Sequence, residues 1–148
     1  MARNRRGEFR GIANIAVDTG KAGKLTLDGM SGVNDAVFKE RAEFVRAEAA
    51  RLGRDPKAIT ISNAIFAVML ADSTAAAEAT AREVGKTFGI PADAAPRSAL
   101  FLIGTPAQCA EELNRRAAEW GVGQFLFNAG SLETARRLAH EVLPHVGL

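Results

Sequence analysis

Near the C-terminus, Asn128-Ala129-Gly130-Ser131 have the residue types and order of a turn that can hold a phosphate. A short apolar run ends at Asn128 and a helical pattern starts after Ser131. Glycine lets the backbone approach a ligand closely. The free N–H groups and positive dipole end of a following helix favour an anion. Every strand-to-helix turn with a serine cap has the same order, so a purely structural turn stands beside the ligand-binding one. Gly104-Thr105-Pro106 carries the same ambiguity, with one donor fewer because of the proline. Ser62 and Asn63 are polar residues inside a long apolar run. Asn63 either points into an interior pocket, as a cofactor contact, or is a core amide satisfied by neighbouring backbone.

Other reactive types do not converge. His140 and His145 are the only imidazoles, both lie near the end of the last helical pattern, and no Cys or carboxylate set joins them, so no metal site is expected. Cys109 falls on an apolar stripe with Leu113 and reads as a small core residue rather than a nucleophile. Asp18, Thr19 and Lys21 end the first strand candidate and read as a solvated loop. The glycines around Lys21 and Lys24 lack the spacing of a Walker phosphate loop. Arg115-Arg116 and Arg136-Arg137 are expected on exposed helix faces.

The elements that must position these residues follow from periodicity. Residues 11–17 form the first strand candidate, and a long glycine-rich loop covers 19–34. Asn34 or Asp35 caps a helix whose stripe is Phe38, Ala42, Val45, Ala49 and Leu52, stopped by Gly53. Residues 58–70 form a continuous apolar, β-branched run, the pattern of a buried parallel strand. Asp72 or Ser73 caps a helix with Ala77, Ala81, Val84 and Phe88 inward, ending at Gly89. Residues 92–103 predict a helical turn and an extended piece. Thr105, Pro106 and Gln108 form a capping box for a helix burying Cys109, Leu113, Ala117 and Trp120, stopped by Gly121. Residues 124–128 are a short strand. Ser131 caps a last helix with Leu132, Ala135, Leu138, Ala139 and Val142 inward. Alternating strands and helices imply parallel strands with right-handed crossovers. In such α/β architectures ligands sit at strand C-termini, here near Asp18, Met69 and Asn128.

Composition narrows the class. The chain has 148 residues, 47% hydrophobic and 24% charged, which suits one globular domain. A net charge of +2, eight Phe, one Trp and no Tyr give neither an overall pull toward nucleic acid nor many stacking platforms. Residues 1–10 form a basic arm with Arg3, Arg5, Arg6 and Arg10, read as a solvated terminus; it lacks the apolar segment of a secretory signal. One Cys fits a reducing compartment. No apolar stretch is long enough to cross a bilayer. A cytoplasmic location is expected, with no membrane or nucleic-acid partner.

The segment 101–113, FLIGTPAQCAEEL, followed by Trp120-Gly121-Val122 and Gln124-Phe125-Leu126-Phe127, resembles the C-terminal part of luciferase-like monooxygenases. Residues 138–144, LAHEVLP, are similar to that family's last helix, and 58–72 to its penultimate barrel strand. The resemblance covers roughly residues 11–146. It implies an α/β fold, a partial (β/α)8 TIM barrel with about three parallel strands and crossover helices, over residues 11–148. It also implies oxidoreductase or monooxygenase chemistry on a small-molecule substrate with FMN or the deazaflavin coenzyme, and places Asn128, Ala129, Gly130 and Ser131 on the cofactor face. No catalytic acid, base or nucleophile carries over. A full barrel takes about 250 residues. The chain is therefore expected to be truncated or a short paralogue, and to self-associate through its open sheet edge. The alternative is a non-catalytic partial barrel that binds itself or a partner through that edge.

Overall fold

The computed structural model describes residues 11–14 and 35–147. The basic arm, Asp18, Thr19, Lys21, the glycine-rich loop and the cap at Asn34 lie outside the described residues.

The apolar run after residue 58 does form the central strand, but in two pieces. β1 (Gly11–Asn14) pairs in parallel with β2 (Ile59–Ile65), Gly11 opposite Ile59 and Asn14 opposite Ser62. After Phe66 the chain continues as β3 (Ala67–Leu70), which pairs in parallel with β4 (Phe101–Gly104). The bend is held by Leu100 O, which accepts from the N–H groups of both Phe66 and Ala67 at 2.7 and 3.3 Å. β5 (Val122–Phe127) lies along the other edge of β2, also in parallel, with Asn63 opposite Phe125 and Ile65 opposite Phe127. The sheets are thus β1-β2-β5 and β3-β4, and every pairing is parallel. The helical turn and extended piece expected over 92–103 are a 3-10 turn, Ala95–Arg97, and the strand β4.

Local capping chemistry sets the helix boundaries. α1 (Asp35–Arg51) is followed by Gly53 at φ 71°. α2 (Thr74–Phe88) starts at Ser73, whose hydroxyl accepts from Ala76 N at 3.2 Å, and stops at Gly89 at φ 67°. α3 (Pro106–Trp120) has the full capping box: Thr105 N donates to Gln108 Oε1 at 2.9 Å, and Gln108 N to Thr105 Oγ1 at 3.4 Å. It stops at Gly121, at φ 67°, a left-handed conformation that favours glycine. α4 (Leu132–Arg137) opens at Ser131 and runs into a π turn, Leu138–Val142. Asn114 of α3 anchors the chain end, donating to His145 O and accepting from Gly147 N, both at 2.9 Å.

The helices cover the strands in three apolar clusters. Phe38 and Ala42 of α1 pack with Ile61, Trp120 and Val122. Ala81 and Val84 of α2 pack with Phe101 and Ile103 of β4. Cys109 and Leu113 of α3 pack with Ile65, Val68, Leu102, Leu138 and Val142. Three expected core positions are exposed. Leu52 is 64% exposed, because it lies past the last turn of α1. Leu132 is 67% exposed in the first turn of α4. Ala139 is exposed as well, because the π turn widens the helix there and rotates the following residues off the 3.6-residue stripe. No helix among the described residues is long and apolar enough to cross a membrane.

Candidate functional site

The turn after β5 is built from its own hydrogen bonds. Asn128 N donates to Ile65 O at 3.0 Å, which fastens the strand end to β2. Asn128 Oδ1 accepts from Gly130 N at 3.2 Å, and Ala129 O from Ser131 N at 2.8 Å. Ser131 Oγ caps α4 by accepting from Thr134 N at 3.0 Å. Gly130 takes φ 70°, and a Cβ added there would meet nothing within 4 Å. The N–H groups of Ala129, Leu132 and Glu133 have no partner among the described residues. The turn therefore presents backbone donors and open space at the C-terminal end of a parallel strand, a donor set that suits an anionic oxygen. The Glu133 carboxylate stands in the same first turn and opposes an anion there. Across from it, Arg137 Nη2 lies 3.0 Å from Asp72 Oδ1, tying α4 to the segment after β3.

Asn63 lies elsewhere. It is 2% exposed and sits on the helix-facing side of β2, with Ile61 and Ile65. Its Nδ2 donates to Ala99 O at 2.9 Å, and its Oδ1 accepts from Arg116 Nη1 at 3.1 Å. Of its two readings, these bonds are those of the satisfied core amide, and they leave neither end free for a ligand on the opposite face of the sheet.

Arg116 corrects the expectation of an exposed helix face. It is fully buried. Its Nε donates to Glu112 Oε1 at 2.8 Å, and Nη2 to Ser98 O and Phe101 O at 3.0 and 2.8 Å. Its guanidinium carbon lies over the Trp120 ring, 5.2 Å from the centroid. This single cation joins α3, β2 and the start of β4. The signal was present in the spacing: Cys109, Leu113, Arg116 and Trp120 recur at i, i+4, i+7 and i+11, and the charge alone argued against burial. Arg115 is largely covered too, paired with Glu112 and Glu119.

Gly104-Thr105-Pro106 is committed to capping α3, as described above. Cys109 is fully buried, and burial pushes its thiol up to about 12 against the opposing pull of the Arg116 charge. We expect the native thiol to resist iodoacetamide at neutral pH and to be alkylated only on unfolding. Alkylation of the folded protein at the rate of a free thiol would contradict this burial. No cluster of metal-ligating side chains occurs among the described residues.

A cavity of about 380 Å³ opens between α2, the 92–97 connection and α3. Alanines, Pro96 and Ile103 line it, with Arg82, Asp93, Arg97 and Glu112 among its charged groups. None of Asn63, Asn128, Ala129, Gly130 or Ser131 lines it.

No protein-family profile and no curated protein matches the chain. Solved structures do. The long-chain alkane monooxygenase LadA is 17% identical with a TM-score of 0.56, over 76% of this chain and 34% of that one. The riboflavin lyase RcaE, solved with modified FMN and its substrate riboflavin, is 17% identical with a TM-score of 0.57, over 78% and 37%. DmoA from Hyphomicrobium sulfonivorans is 16% identical with a TM-score of 0.57, over 90% and 40%. The chain thus spans little more than a third of the length of these structures. Its parallel strands, crossover helices and overlap with them make its fold that of a portion of a (β/α)8 barrel.

Proposed function

We propose that this chain serves a luciferase-like oxidoreductase linked to FMN or the deazaflavin coenzyme, and that Asn128, Ala129, Gly130 and Ser131 meet the cofactor. One observation carries the reading: the turn after β5 sets free backbone donors and an open glycine at the C-terminal end of a parallel strand. The FMN in the RcaE structure supports the choice of ligand class. When bound, the cofactor supplies the hydride or electron transfer to a small-molecule substrate. The residues of this chain bind and orient. The N–H groups of Ala129, Leu132 and Glu133 are the donors available to an anionic oxygen, and the Asn128 side chain holds Gly130 in place. The Arg137–Asp72 pair keeps the two strand-end segments together. Asn63 acts at a distance, by holding Arg116 and the segment before β4. A reducing, cytoplasmic setting accords with the single buried cysteine.

Fluorescence titration with FMN and with the deazaflavin tests the proposal. Binding of one of them tighter than about 1 mM is expected. Gly130→Val, which forces a β-branched residue into φ 70°, is expected to weaken it by about tenfold while the circular dichroism spectrum is kept. Absence of binding by either coenzyme removes the cofactor role from this chain.

A further inference from the structure

We draw no further inference here: the strongest candidate, the cleft of about 380 Å³ between α2, the 92–97 connection and α3, sets charges of both signs, Arg82 and Arg97 with Glu78 and Asp93, around an alanine-lined floor that selects no one class of ligand, and nothing in the structure shows what covers it.

Discussion

Arg116→Met is expected to lower the unfolding free energy by about 3–5 kcal/mol, the range for removing one member of a buried charged network. Methionine fills much of the volume, so the loss comes from polar groups left behind rather than from a void. Glu112 keeps its two bonds to Arg115 and is not abandoned. Asn63 Oδ1 and the Phe101 carbonyl lose their donor inside the core, and the Ser98 carbonyl keeps only the Phe101 N–H at 3.2 Å. Each such orphan costs about 1–3 kcal/mol, which is why the sum is large. Arg116→Lys is expected to recover only part of it, since one ammonium cannot span the fork that reaches β2 and β4 together. Urea unfolding followed by tryptophan fluorescence and circular dichroism measures both. If the arginine is a passive filler, methionine will cost less than about 1 kcal/mol. A double-mutant cycle with Asn63→Ala separates the two outcomes further, because a shared network makes the two losses strongly non-additive.

Trp120 carries the second large effect. It is 2% exposed, stacks on Phe38 at 4.6 Å between centroids, and has the Arg115 and Arg116 guanidinium groups over its ring at 5.1 and 5.2 Å. It shares with Ile61 and Val122 the apolar contact of α1 with α3 and the sheet. Trp120→Ala is expected to cost about 3–5 kcal/mol, from lost burial and the cavity that remains. Trp120→Phe is expected to cost far less, below about 1.5 kcal/mol. A smaller aromatic ring still faces Phe38, and the indole Nε1, buried without a hydrogen-bond partner among the described residues, is removed. Thermal unfolding by circular dichroism compares the pair. Equal losses for the two variants would show that the indole ring system as a whole, and not its stack on Phe38, holds α1 in place.

The candidate site was legible to the extent that it is local. The Asn128–Ser131 turn is written in consecutive residues: a strand end, a glycine for φ 70°, and a serine that caps the next helix. The reading of Asn63 stayed open because an amide in an apolar strand faces either side according to one-residue alternation. Only Ala99 and Arg116, remote in sequence, settle which. Arg116 itself was misread although it lies in step with Cys109, Leu113 and Trp120. A guanidinium is buried only where carbonyls and an amide converge on it, and the residues that supply them come from three other segments.

By itself the sequence determined the alternation of strands and helices, the helix ends at Gly53, Gly89 and Gly121, and the capping box at Thr105, because caps and 3.6-residue stripes are chemistry between neighbours a few residues apart. Only the tertiary structure decided that the 58–70 run bends at Phe66 to serve two sheets, that Leu52 and Leu132 face outward, and that Arg116 lies at the centre. Those outcomes depend on which surfaces meet, and burial of a side chain is a property of what stands opposite it.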